Sequence, residues 1–223
     1  MDSSDDDKIT YSPSGLPQVP PSESGPKYGP LLILTVAPLV VGVVVAHVVY
    51  TQGDKSAYDL RMLTAALNAD MLWTCLAVVV LGRLVAFANC YPLAVKGCFL
   101  TKDDRQLWAN SFLLTEIGPN CAKNVVVMDS EGDVGMYNRA NRALQDMVQT
   151  CGVVLAALFL ASTVFAFPAF AVSLAFCWGW VMHVVSFAMN YDSHGLGYLL
   201  ATLAAATLEG MVALMALKIL WGF

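Results

Sequence analysis

Long apolar runs alternate with short polar stretches along most of the chain. Five runs have the length, about 20 residues, that an α-helix needs to cross the hydrocarbon core of a bilayer. They are Leu31–Tyr50, Met71–Val95, Met147–Phe167, Ala169–Met189 and Leu196–Trp221. The pattern therefore predicts an all-α integral membrane protein with five membrane-spanning helices.

The boundary between the third and fourth runs depends on one residue, Pro168. A proline breaks the helical hydrogen-bond ladder, which favours a tight turn between adjacent helices, although a kinked single helix would give a similar local pattern. Residues 147–189 together are too long for one crossing. We therefore predict two helices here rather than one.

The amino-acid composition also indicates a membrane protein. Hydrophobic residues make up 57% of the chain and charged residues only 13%, and the mean hydropathy is +0.62. A water-soluble domain of this length would be less apolar. The six cysteines form no CxxC pair and the three histidines do not cluster with them. We therefore expect neither a disulfide framework nor a metal site, and no nucleic-acid partner.

Residues 1–30 differ in kind from the rest of the chain. They are rich in Asp, Ser, Pro and Gly and show no apolar periodicity, so we expect an extramembrane tail that is disordered in isolation. The tail also lacks the basic start and apolar core of a secretory signal.

Basic residues are divided unevenly between the two sides that five crossings would create. Eight fall on the side of the tail and of the long loop 96–138, and three on the other side. The first group is Lys8, Lys27, Lys96, Lys102, Arg105, Lys123, Arg139 and Arg142, and the second is Lys55, Arg61 and Lys218. Because positive residues favour the cytosolic side, we expect the tail and the loop there, or on its equivalent in an endomembrane or organellar membrane. The connection Asn190–Gly195 falls on the same side and can approach Arg139.

The stretch Tyr137–Gln149 carries polar side chains from this surface into an apolar run. Arg139 and Arg142, three residues apart, are expected on one helical face, which Asp146 and Gln149 continue. Polar groups at such positions are costly and usually face a protein, a cavity or a ligand. Alternatively, both arginines are interfacial anchors and Arg142 pairs with Asp146 at i, i+4.

Three sequence patterns resemble the MAPEG superfamily, membrane proteins of eicosanoid and glutathione metabolism. The family motif Arg-x-x-Arg-Ala-His/Gln-x-Asn-x-x-Glu is similar to the segment that begins at Arg139, where both arginines and the alanine match. A second pattern, Gly-Arg-x-x-His/Tyr, resembles Gly179–His183, and a third, Arg-x-x-x-Tyr, resembles His194–Tyr198. The three patterns follow the family's order across Met71–Phe223, about two-thirds of the chain.

The resemblance implies a four-helix MAPEG-like bundle in residues 71–223, with Leu31–Tyr50 as an additional N-terminal helix. Family members are typically trimers with glutathione sites between subunits. By resemblance, glutathione would be held by Arg139, Arg142, Asp146, Gln149 and His183. His194 or Tyr198 would then stabilise the thiolate, which is the nucleophile.

The positions that depart from the family patterns all weaken an anion-binding site. Asp146 replaces a neutral Asn, and Gln149 replaces a Glu that would pair with the amino group of glutathione. Trp180 and His194 each replace an arginine, which is a fixed cation, whereas histidine is mostly neutral near pH 7. We therefore favour a non-catalytic accessory or structural subunit of a larger membrane complex. The alternative is a divergent glutathione-dependent transferase or peroxidase that acts on lipophilic substrates.

Other polar residues within the predicted spans allow simpler interpretations. His183, beside Trp180, is expected to contact a neighbouring helix, and Tyr198 is either a thiol partner or an interfacial tyrosine. Glu209 lies in mid-span and should face a partner or a cavity, with Arg83 as a possible partner. Besides the bilayer, the expected partners are other membrane subunits or further copies of this chain in a homotrimer.

Overall fold

The computed structural model describes residues 25–66, 70–99, 111–117, 125–190 and 195–221. These residues form five α-helices and one antiparallel β-hairpin. In chain order they are α1 Tyr28–Gln52, α2 Lys55–Ala66, α3 Asp70–Lys96, β1 Leu114–Ile117, β2 Val125–Met128, α4 Gly132–Met189 and α5 Gly195–Leu220. Within this part of the chain, α1, α3, α4 and α5 are long and apolar enough to cross a membrane. The prediction of a helical, multi-pass membrane protein is confirmed at this level.

Helix α4 contains both of the apolar runs that the sequence separates at Pro168. It is 58 residues long, and its backbone leaves the helical conformation at Phe165, with φ −117° and ψ 47°. The ring of Pro168 crowds the carbonyl of Val164, four residues earlier, and the proline has no N–H to donate to it. The helical ladder is therefore interrupted just before the proline, and α4 consists of two segments, residues 132–164 and 166–189.

The two segments of α4 lie against each other in opposite directions. Arg139 Nε donates hydrogen bonds to the carbonyl oxygens of Phe187, at 3.0 Å, and of Ala188, at 3.2 Å. In a straight helix, 49 residues would separate Arg139 from Ala188 by about 73 Å. The chain therefore reverses at Phe165 and forms a helical hairpin.

Helix α3 packs antiparallel to the first segment of α4. At its start, the ring of Trp73 contacts Phe167 and Phe170 with centroid distances of 4.9 and 5.4 Å. Just beyond its end, the ring of Phe99 lies 5.7 Å from that of Tyr137. The end of α3 and the start of α4 are therefore neighbours at one end of the bundle, which we call the Arg139 end.

Helix α1 flanks α3, also in the opposite direction. The backbone N–H of Lys27 donates to the carbonyl of Ala94 at 3.1 Å. Further along, the Arg83 guanidinium donates to the carbonyl of Thr35. The start of α1 therefore lies at the Arg139 end as well.

Helix α5 packs against the second segment of α4 through glycines at the point of closest approach. A Cβ placed on Gly179 would lie 2.6 Å from the backbone nitrogen of Ala201, and one placed on Gly197 would lie 2.6 Å from that of His183. Membrane helices commonly approach through such small residues. Gly179 and His183, which carry one of the family-like patterns, are thus part of a helix contact.

Two elements lie where the sequence predicts only connections. Helix α2 follows α1, and its first turn is capped by Asp54, whose carboxylate accepts from Ser56 Oγ at 2.6 Å and Ala57 N at 3.1 Å. The loop 96–138 contains the β-hairpin, in which Leu114 pairs with Met128 and Ile117 with Val125. The loop also includes the first two turns of α4, which begins at Gly132 rather than at Met147.

Candidate functional site at the Arg139 end

The guanidinium of Arg139 joins the two segments of α4 by hydrogen bonds at the open end of the hairpin. In addition to the two bonds from Nε, Nη2 donates to the carbonyl of Ala188 at 2.9 Å and Nη1 donates to the carbonyl of Ser130 at 2.8 Å. The carbonyls of Phe187 and Ala188 belong to the last turn of α4, where no further helical N–H can reach them. A cation at this position also interacts favourably with the negative end of the helix dipole. Each nitrogen of the guanidinium therefore has a structural partner.

Arg142 has a different environment from Arg139. Its side chain is 58% exposed, and Nε lies 3.3 Å from an oxygen of Asp146, one turn later. The pairing at i, i+4 that the sequence suggested as an alternative is confirmed. Gln149 is exposed further along the same segment. The polar residues of Tyr137–Gln149 therefore divide between the interior of the hairpin and the outer surface of α4.

Aromatic rings surround His183 beside Arg139. His183 is 4% exposed, and its ring stacks on that of Phe187 at 5.4 Å, parallel to within 11°. The rings of Tyr198 and Trp180 each lie 5.3 Å from it. The structure thus brings together His183 and Tyr198, two residues that the resemblance implicates, and Phe187 connects them to Arg139. His194, the other candidate for thiolate stabilisation, lies outside the described residues.

Trp180 makes this cluster apolar where the family pattern has a cation. It is 2% exposed, and Phe176 and Tyr198 lie 6.2 and 6.3 Å away. Its buried Nε1 has no hydrogen-bond partner among the described residues. Trp180 therefore takes part in the packing between α4 and α5.

Cys98 lies just beyond the end of α3, at the Arg139 end, and is buried. Burial raises the pKa of the Cys98 thiol, and the negative charge of Asp133 raises it slightly further. The thiolate is the reactive form, so a raised pKa disfavours nucleophilic chemistry at this position. Across the described ranges, no three His, Cys, Asp or Glu side chains are grouped so that they could hold a metal ion. Cys121 falls outside those ranges.

Asn138 is a structural residue that the sequence analysis missed. It is fully buried, and its Oδ1 accepts from Leu113 N at 2.9 Å while its Nδ2 donates to the carbonyls of Leu113 and Asp129, both at 2.8 Å. The amide thus holds the base of the β-hairpin against α4. The sequence did contain a hint of this role in its helical spacing. Val134, Asn138 and Asn141 lie on one face of α4, and all three are buried.

The two charged residues in mid-span have separate surroundings. Arg83, on α3, donates to Thr35 of α1, and its buried Nε has no hydrogen-bond partner among the described residues. Glu209, on α5, is exposed in the isolated chain. The interaction with α1 gives Arg83 a role that the sequence did not suggest.

Among the described residues, Arg139 and His183 at this end make contacts that hold helices together. Searches with protein-family models and among curated proteins find no match to the chain. The similarity to the MAPEG superfamily therefore stays a prediction from the three sequence patterns.

Proposed function

We propose that the chain is a MAPEG-like membrane protein with five crossings that serves as a non-catalytic subunit of a larger membrane complex. The observation that carries the proposal is that the guanidinium of Arg139 is hydrogen-bonded to backbone carbonyls of its own chain. In a glutathione site this guanidinium would bind a carboxylate, whereas here its nitrogens donate to Ser130, Phe187 and Ala188. In this proposal, Arg139 serves to hold the two segments of the helix hairpin together.

The remaining polar residues support the same assignment. Arg142 is neutralised by Asp146, and Trp180 brings an indole into the position of a family cation. A ligand with two carboxylates needs uncompensated cations or donors, and these residues supply few of them. The site therefore favours a structural function.

The five crossings are supported by the reversal of α4 at Phe165. Its two segments, of 33 and 24 residues, are each long enough for one passage through the hydrocarbon core. With α1, α3 and α5, five crossings would put the N-terminal tail, the loop after α3 and the connection before α5 on one side. The basic residues favour the cytosolic or equivalent side for these parts.

Helix α1 supports the proposal of a larger complex. It has a single buried residue, Leu31, so most of its apolar surface is available to lipid or to another subunit. An added helix with so little contact to its own bundle is well placed to join one chain to another.

A glutathione-dependent enzyme is the second candidate, favoured by the proximity of His183 and Tyr198. Their ring centroids are 5.3 Å apart, and Tyr198 is half exposed, so a neighbouring copy could complete a site there. In this alternative, Arg142 and Gln149, both on the outer surface, would contact glutathione at a homotrimer interface.

Native electrophoresis of gently solubilised source membranes, followed by mass spectrometry, distinguishes the two candidates. A non-catalytic subunit is expected to migrate with other membrane proteins in one large species. A species made only of copies of this chain, which turns over glutathione with an electrophile or a lipid hydroperoxide, would establish the enzyme instead.

A further inference from the structure

Glu209 is an ionisable residue near the middle of a membrane-spanning helix and on its uncovered side. It lies 14 residues after the start of α5 and 11 before its end, which is about 21 and 17 Å along the axis. The side of α5 that packs on α4 consists of Gly197, Ala201, Ala204, Ala205 and Leu208. Glu209 is exposed beside that contact. A carboxylate at this depth is costly against lipid and is normally paired.

The surface around Glu209 differs from a lipid-facing surface. Together with Glu209, the exposed residues Thr202, Ala206, Gly210 and Ala213 form a patch that we call the outer face of α5. A Cβ on Gly210 would meet nothing within 4 Å. Small side chains spaced four residues apart allow a second helix to approach closely. Exposed Leu203 and Leu214 lie on the adjoining flank, and exposed Leu199 extends the outer face toward the start of α5.

A second copy of this chain is a poor occupant for this face. Among the described residues, Arg83 is the cation that lies in mid-span, 13 residues from each end of α3. Its guanidinium is held beneath α1 by the Thr35 carbonyl, and its Nε is buried. Two copies meeting through their outer faces would place two carboxylates together, which is unfavourable at this depth.

We propose that the outer face of α5 docks a membrane-spanning helix of a different chain, which presents a lysine or arginine to Glu209 at mid-depth. The inference rests on the proposed function as a complex subunit and specifies the contact that such a subunit uses. An ion pair at this depth, flanked by small residues, gives both affinity and a fixed register between the two helices.

The test compares Glu209→Gln and Glu209→Leu with wild type in source membranes, after gentle solubilisation and native electrophoresis. Both variants are expected to reduce the complex-bound fraction at least about tenfold. Thr207→Val, on the other flank of the same helix, is expected to change it less than about twofold. Glu209→Leu should leave the thermal stability of the purified chain unchanged or raised, which separates lost docking from lost folding.

Photo-crosslinking identifies the occupant. Ala206→p-benzoylphenylalanine, which carries a benzophenone, should yield an adduct with another membrane protein, at a helix that carries Lys or Arg near its middle. An adduct with a second copy, or with a helix that lacks such a cation, would overturn the inference. A complex that survives Glu209→Gln would overturn it while leaving the proposed function intact. Wild type that migrates alone would instead refute the proposed function.

Discussion

The guanidinium of Arg139 donates two hydrogen bonds to the carbonyl oxygen of Ala188, from Nη2 at 2.9 Å and from Nε at 3.2 Å. The two residues are 49 positions apart and close the open end of a helical hairpin. The contact gives Arg139, a charged residue near the start of α4, a structural role.

Replacing Arg139 by Ala is expected to destabilise the folded chain by about 2–3 kcal/mol, since carbonyls at the end of α4 lose charged donors. Arg139→Lys should recover only part of this, because one ammonium cannot bond in all of the directions that the guanidinium uses. Unfolding of the purified chain in mixed micelles by SDS, followed by tryptophan fluorescence, measures the change. Arg142→Ala is the matched control, expected to cost about 0.5 kcal/mol because its ion pair is exposed. Equal losses of stability in Arg139→Ala and Arg142→Ala would contradict the structural role assigned to Arg139.

The close approach of α4 and α5 makes Gly179 and Gly197 sensitive to a single methyl group. Alanine at either position is expected to destabilise the chain by about 1–2 kcal/mol, because the added Cβ would meet backbone atoms that cannot rotate away. Gly152, with open space around it, is the control, and alanine there should be neutral or stabilising by up to about 1 kcal/mol. Similar, small effects of alanine at all three positions in the same unfolding assay would contradict the close contact of the two helices.

Asn138 should control the attachment of the β-hairpin to α4. Asn138→Leu removes three hydrogen bonds and leaves the half-buried N–H of Leu113 and carbonyl of Asp129 without this partner, at a cost of about 2 kcal/mol. Asn138→Asp should be no better, since a carboxylate repels the two carbonyls that the amide donates to. Hydrogen exchange of the β1 and β2 amides is expected to accelerate in both variants, whereas Asn89→Ala, at an exposed site, should leave it unchanged. Slow exchange in Asn138→Leu would show that the hairpin is held by other contacts.

The reversal of α4 can be measured as a distance between spin labels. Labels at Arg142 and Met189, both exposed, should lie within about 30 Å because packed helix axes are close, whereas a continuous helix would separate them by about 70 Å. Labels at Arg142 and Leu160, within one segment, should give about 27 Å in either case. A long distance for the first pair would rule out the hairpin and, with it, the fifth crossing.

The sequence was sufficient to predict the long helices because their signal is local and strong. The predicted runs Leu31–Tyr50 and Met71–Val95 differ from α1 and α3 by at most three residues at either end. Helix α2 and the β-hairpin were missed because such short elements carry too little periodicity to be recognised. The start of α4 at Gly132 was missed for a related reason, since its first turns are too polar for a search based on hydropathy.

For the candidate site, too, local sequence patterns predicted only the contacts between residues that are close in the chain. The Arg142–Asp146 pair was foreseeable because residues four apart on a helix are neighbours. The contact between Arg139 and Ala188 depends on how two helices fold back on each other, and no local pattern encodes a separation of 49 residues. The ring cluster of His183, Trp180 and Tyr198 likewise arises from packing between α4 and α5.

Calorimetric titration of the purified chain with glutathione tests the central claim, that the Arg139 end is a structural contact and not a glutathione site. We predict only heat of dilution up to millimolar concentrations, because the guanidinium of Arg139 is already bonded and Arg142 is paired. Saturable binding with a Kd below about 1 mM, which Arg142→Ala or Tyr198→Phe weakens at least about tenfold, would contradict the claim and favour the enzyme.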